Sequence, residues 1–211
     1  MAFDFSTVRD RKFYDIVSIP LRPAIKLILK IKCVGKENIP QSGSYIVACN
    51  HINILDPVIL SSECRRPIHF MAKSEAFKNK IGAWFLTHLN VFPVNRGRND
   101  KASVDYAIKL VENGHVLGIF PEGTRSKDLK PHKPKSGVAL IAKQTKADIL
   151  PVALYCEQNR LLFRKITVRF GKPIKYEELG FNDETSSRER REAAEKIMAR
   201  IVSLWEEGHC E

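Results

Sequence analysis

The 211-residue sequence predicts an α/β fold: a single domain with a largely parallel central sheet flanked by helices, preceded by an N-terminal amphipathic helical segment. Three observations lead there. Short apolar runs alternate along the chain with longer stretches of helical periodicity. The composition, 44% hydrophobic and 28% charged, is that of a chain able to bury a core. Polar residues of unusual chemistry follow directly after four of the apolar runs, where open parallel sheets gather their ligands.

In chain order, residues 1–32 read as the helical appendage and residues 33–211 as the main domain. Asp4, Asp10 and Asp15 interrupt the N-terminus, which is unlike a secretory signal. The stretch "IVSIPLRPAIKLILKIKCV", Ile16 to Val34, is broken by Arg22, Lys26, Lys30 and Lys32. A membrane span needs about 18 apolar residues, so this stretch is not one. Arg22, Lys26 and Lys30 recur every four residues, and on a helix they form one cationic stripe with Ile25, Leu27, Ile28, Leu29 and Ile31 around the rest. Such a helix suits the plane of an anionic bilayer, or it covers the domain's own core.

A short strand and turn follow in "KCVGKENIP". "SYIVAC" (Ser44–Cys49) reads as a strand and Pro57–Ser62 as a helix; "IHFMA" (Ile68–Ala72) as a strand and "IGAWFLTHL" as a helix. "VFPV" (Val91–Val94) is a third short strand, and a helix over Lys101–Asn113 should stop at Gly114. "HVLGIF" (His115–Phe120), "DILPVALY" (Asp148–Tyr155) and "KITVRFG" (Lys165–Gly171) are strands, with a helix over Gly137–Thr145. The last helix starts near Ser186, where Ser186-Ser187-Arg188-Glu189 fits a capping box, and presents Ala193, Ile197, Ile201 and Leu204 on one face.

The net charge is +11, which points to an anionic partner. No zinc-finger spacing, RNP-like strand or basic-plus-heptad pattern accompanies it, so nucleic acid has no motif behind it. The five cysteines (Cys33, Cys49, Cys64, Cys156, Cys210) are odd in number and scattered, which favours a reducing compartment over a disulfide framework. The histidines show no metal-ligand spacing, and no metal site is expected.

The chemistry concentrates in four places. "NHINILD" follows the first long strand and places His51 five residues before Asp56. On a continuous helix the two would lie roughly 140° apart, so they pair only if the chain turns between them. Asp56-Pro57 is also a natural helix start, which would make Asp56 no more than a cap. If they meet, Asp56 orients the imidazole and His51 takes a proton from a hydroxyl.

In "GIFPEGTRS" (Gly118–Ser126), Gly123 allows close backbone approach while Thr124 and Arg125 offer donors to a phosphate. "VFPVNRGR" sets Arg96 and Arg98 after a strand, and arginine's planar fork clamps a phosphomonoester. Lys127, Lys130, Lys133 and Lys135 make the loop after the third motif strongly cationic.

The "NHxxxxD", "FPVNR", "FPEGTRS" and "ILPVAL" (Ile149–Leu154) blocks, in this order and spacing, resemble the glycerolipid acyltransferase family, and within it the bacterial branch that acylates 1-acyl-sn-glycerol 3-phosphate. The resemblance runs from the N-terminal helix to about Pro173. It implies that His51 and Asp56 are catalytic, that Arg96 binds the glycerol phosphate, and that Glu122, Gly123, Thr124 and Arg125 serve that phosphate and the site's architecture. Lys73, in "MAKSEAF", would line the same site, and the stretch around Pro151 would shape the sheet and acyl pocket. Family members often carry Ser or Thr two residues after the histidine, where this chain has Asn53.

The implied activity is acyl transfer from acyl-CoA or acyl carrier protein to lysophosphatidic acid, with no cofactor or metal, at the cytoplasmic face of an anionic membrane surface by a peripheral or monotopic protein. An acyltransferase for glycerol 3-phosphate or another lysolipid, and a non-catalytic lipid- or nucleic-acid-binding protein of the same fold, are the alternatives. The absence of a Gly-x-Ser-x-Gly elbow predicts direct transfer with no acyl-enzyme.

Overall fold

The computed structural model describes residues 3–8, 23–95, 100–158, 165–182 and 186–210. Its strands are β1 (Ile31–Val34), β2 (Tyr45–Cys49), β3 (Ile68–Lys73), β4 (Val91–Val94), β5 (Val116–Ile119), β6 (Ile149–Tyr155) and β7 (Ile166–Phe170). Its helices are α1 (Asp56–Glu63), α2 (Lys80–His88), α3 (Lys101–Glu112), α4 (Gly137–Thr145) and α5 (Ser187–Glu206). Among the described residues these strands form one sheet in the order β1-β7-β6-β2-β5-β3-β4. The run β6-β2-β5-β3-β4 is parallel throughout. β7 is antiparallel to β6, and β1 is parallel to β7, so that pair runs the other way.

β2 lies near the middle of the sheet and every one of its residues is buried, as an unbroken apolar run demands of a strand covered on both faces. Its side chains alternate between two cores. Ile46 and Ala48 face one containing Leu117 and Ile149 together with Tyr106, Ala107 and Leu110 of α3, Ala139 of α4 and Ile197 of α5. Tyr45, Val47 and Cys49 face the other, with Ile59 and Leu60 of α1, and Leu29. α3 begins at Asp100, whose carboxylate accepts from Ser103 N at 3.2 Å, and gives way to Gly114 at φ 85°. α5 starts as the capping pattern predicts: Ser186 Oγ accepts from Glu189 N at 3.1 Å.

Gly118 in β5 is required by its neighbours. A Cβ there would lie 2.3 and 2.6 Å from ring atoms of Phe70 and 2.8 Å from Ile68 Cγ2. The bare backbone lets the Phe70 ring lie across β5, where it stacks on Phe120 with centroids 5.8 Å apart.

The N-terminal segment departs from the expected amphipathic helix at its C-terminal end. Residues 23–28 are helical, but Lys30 turns at φ 43° and β1 already begins at Ile31. The pairing of β1 with β7 overrides the local helical periodicity of this stretch. Lys26 reaches Glu63 at 3.4 Å, in a carboxylate shared with Lys36, so Lys26 and Lys30 do not form one helical stripe. Arg22 and residues 9–22 lie outside the described residues. Residues 3–8 are not helical; Phe3 and Phe5 pack edge-on against Tyr106 at 5.4 and 5.6 Å. No helix among the described residues is long and apolar enough to cross a membrane.

Candidate active site

The C-terminal ends of β2, β5, β3 and β4 are neighbours on one rim of the sheet, and the chain leaving each carries the residues singled out above. Immediately after β2, Asn50 is wholly buried and acts as an extra rung of the ladder. Its Nδ2 donates to Leu154 O at 3.0 Å and its Oδ1 accepts from Leu154 N at 2.8 Å, so an amide side chain replaces a backbone partner for β6. The backbone is thereby released from strand geometry at the next residue while staying tied to the sheet.

That next residue is His51, and the chain turns over Ile52–Leu55 to bring Asp56 back to it. His51 Nδ1 and Asp56 Oδ2 are 2.8 Å apart. The same oxygen accepts from Ile52 N and from Asn53 N, each at 2.7 Å, while Asn53 Oδ1 accepts from Leu55 N at 3.1 Å. Asn53 thus holds the turn through a short side-chain contact, the role open to Ser or Thr at this place. Asp56 is fully buried, and its carboxylate points back into the turn instead of capping α1, which has no side-chain cap. The capping reading of Asp56 is therefore corrected: the two backbone N–H groups and the imidazole compete more strongly for that carboxylate than the helix end does.

His51 is held from three other directions. Its ring stacks on Phe120 with centroids 4.1 Å apart and planes 19° from parallel. Its N–H donates to Glu122 Oε1 at 3.1 Å, and its carbonyl accepts from Ser126 N at 2.8 Å. Both backbone groups of the histidine are thus satisfied by the loop that follows β5. Phe70 behind Phe120 extends the stack into the core.

Glu122 is buried, and burial pushes its carboxyl up from 4.5 to about 7. The N–H of His51 and the neighbouring His132 pull the other way, and the charge of Asp56 adds to the rise. A carboxyl raised in the folded state contributes stability that is complete below 4.5 and lost as the pH climbs through about 7. Glu122→Gln keeps an acceptor for His51 N–H and removes the titration. Its unfolding free energy should match the wild type below pH 4.5 and exceed it above pH 7 by on the order of 2–3 kcal/mol, read from denaturant midpoints. Parallel pH profiles for the two proteins would remove this account of Glu122.

Gly123 follows at φ 72°, with the Lys135 side chain lying where a Cβ would meet it at 3.1–3.2 Å. Lys135 N donates to Pro121 O at 2.8 Å, folding the cationic loop over the motif. Thr124 and Arg125 are exposed on the rim. Lys73 ends β3, exposed, in register with Val94 at the end of β4. Arg96, two residues beyond Val94, lies outside the described residues, as does Arg98. Among the described residues no three His, Cys, Asp or Glu side chains converge as metal ligands would. Sequence reasoning passed over Asn50 and Phe120; an amide directly after a buried strand, and an aromatic directly before the acid of the third motif, were the available signals.

The family model described as Acyltransferase matches residues 30–155, which hold β1 to β6 and all of these motifs. The chain belongs to the acyltransferase family. The 1-acyl-sn-glycerol-3-phosphate acyltransferase of Bacillus subtilis is 35% identical to this acyltransferase over 159 residues, 72% of this chain and 79% of that protein. The enzyme of the same name from Borreliella burgdorferi is 35% identical over 148 residues, covering 67% of this chain and 59% of its own length. The crystal structure of the 1-acyl-sn-glycerophosphate acyltransferase PlsC from Thermotoga maritima superposes with a TM-score of 0.71 at 25% identity, over 95% of this acyltransferase and 81% of that chain.

Proposed function

We propose that this acyltransferase moves a fatty acyl group from an acyl thioester, acyl-CoA or acyl carrier protein, to the sn-2 hydroxyl of 1-acyl-sn-glycerol 3-phosphate, giving phosphatidic acid for phospholipid synthesis. The observation that carries this reading is the His51–Asp56 pair, 2.8 Å apart on a buried carboxylate at the rim of a parallel sheet. The names of the relatives supply the acceptor.

With Asp56 on Nδ1, the neutral ring carries its proton there and its lone pair on Nε2. Nε2 takes the proton of the acceptor hydroxyl as that oxygen attacks the thioester carbonyl, and the Asp56 carboxylate stabilises the imidazolium formed. The tetrahedral intermediate collapses with cleavage of the carbon–sulfur bond. The departing thiolate takes the proton from Nε2, which restores the neutral imidazole for the next turnover. No acyl-enzyme is formed.

Lys73 ends β3 and Arg125 lies in the loop after β5, and in the sequence Arg96 stands two residues beyond β4; a phosphate attracted by these three would be held so as to fix the hydroxyl against His51. Gly123 and Thr124 would shape that phosphate site, with Glu122 holding His51 from behind. The net charge of +11 suits an anionic membrane surface, and the protein would act as a peripheral or monotopic enzyme on the cytoplasmic face.

The test is release of free thiol from each donor in the presence of lysophosphatidic acid, glycerol 3-phosphate or a lysophosphatidylcholine. Release with lysophosphatidic acid that clearly exceeds release with the other two is expected. Equal rates with lysophosphatidylcholine, which has no phosphomonoester, would overturn the assigned acceptor.

A further inference from the structure

We propose that the layer formed by residues 23–28, α1 and α2 is the face that lies on an anionic bilayer, with Ile81, Trp84 and Phe85 of α2 immersed in it. The inference rests on the membrane reading above and says which surface makes the contact.

α2 turns large apolar side chains to solvent. Ile81, Trp84 and Phe85 share one face by their spacing, and they are 79%, 51% and 45% exposed. Only Ala83 of the helix is buried. The other exposed large apolar side chains among the described residues are Leu27 (80%) and Ile28 on the 23–28 segment, Ile54 (62%) in the turn between His51 and Asp56, Val58 on α1, and Val34 at the end of β1, which alone lies outside these elements. α3, α4 and α5 carry no such residue.

The topology puts these elements in one layer. From β2 to β3 to β4 the chain steps the same way across the sheet, with α1 and α2 as its crossovers. Parallel crossovers are right-handed, so both helices lie on the same face. α1 packs there through Ile59 and Leu60 into the core that also takes Ile25 and Leu29.

Charge selects the occupant. Residues 73–80 carry Lys73, Lys78 and Lys80 against Glu75, and residues 23–36 carry Lys26, Lys30, Lys32 and Lys36, of which Lys26 and Lys36 share the single carboxylate of Glu63 on α1. A second copy docking on this face would set two cationic surfaces against each other. An anionic headgroup layer over apolar chains matches both the lysines and the apolar stripe, and tryptophan favours that boundary. Ile54, beside the catalytic pair, then sits at the bilayer surface. A lysolipid acceptor could present its hydroxyl to His51 while its tail stays in the leaflet.

The chain has two tryptophans, and Trp205 packs half-buried against Tyr155, so Trp205→Phe leaves Trp84 as the sole reporter. Its emission should shift to the blue and be quenched on vesicles of phosphatidylcholine and phosphatidylglycerol brominated on their acyl chains. Ile81→Ser with Phe85→Ser should lower vesicle partition on the order of tenfold or more. Because both residues are exposed, the unfolding midpoint and the turnover of a dispersed short-chain acceptor should stay unchanged.

Vesicle-bound protein whose Trp84 still emits as in water would overturn the assignment. So would a Trp84 shielded in buffer beyond what its stack on His88 provides, whether dependent on protein concentration, which means a second copy, or independent of it, which means another part of the same chain. Quenching without any thiol release would leave this face assigned and overturn the chemistry proposed above instead.

Discussion

His51→Ala should lower acceptor-dependent thiol release by about 10²- to 10⁴-fold, the contribution of a positioned general base. The protein should remain folded. The lost ring stack on Phe120 and the lost contact to Asp56 together cost about 1–2 kcal/mol, because Asp56 keeps its two backbone donors. Circular dichroism and an unfolding midpoint establish the fold, and thiol release at saturating acceptor reads the chemistry. A folded His51→Ala protein that turns over at the wild-type rate would falsify the assigned base and leave the family and fold untouched.

Asp56 should separate stability from chemistry. Asp56→Asn retains an oxygen for Ile52 N and Asn53 N but loses the charge that holds the imidazole proton on Nδ1 and stabilises the imidazolium. Turnover should fall by about 10²- to 10⁴-fold with a small change in stability. Asp56→Ala leaves those two N–H groups without their acceptor, the one on Ile52 buried and the one on Asn53 partly so, which costs on the order of 2–5 kcal/mol. Per folded molecule the two variants should be similarly slow, while their unfolding midpoints differ. If Asp56→Asn were as unstable as Asp56→Ala yet fully active, the carboxylate would be a structural device only.

Most of the sheet was legible because β2, β4, β5 and β6 are uninterrupted apolar runs, and such runs are what doubly covered parallel strands require. "VFPV" and the helix over Gly137–Thr145 fall where they were read, to the residue. The reversed pair β1 and β7 was not legible: an apolar run carries no direction, and only the register across β6 decides it. The N-terminal stretch misled for a related reason. Its period of four is real, but Ile31–Val34 gain more from pairing with β7 than from continuing a helix.

At the site, the meeting of His51 with Asp56 was legible as a condition, namely that the chain turn between them. What satisfies the condition, two N–H groups converging on Asp56 Oδ2, is a matter of local backbone geometry that spacing does not encode. The joining of the first and third motifs through Glu122 and Ser126 was invisible for a simpler reason. Hydrogen bonds to backbone N–H and C=O groups leave no trace in the identity of the residue that owns them.

That joining bears on synthesis at the ribosome. The N–H of His51 is bonded by a side chain 71 residues later, and its carbonyl by Ser126, beyond that. A nascent chain therefore carries His51 and Asp56 long before it carries the Glu122 and Ser126 groups that bond the backbone of His51, and the central strand β2 must wait for β5 and β6 on either side. A product ending before β5 lacks both neighbours of β2 and both groups that bond the His51 backbone, and is expected to show no turnover.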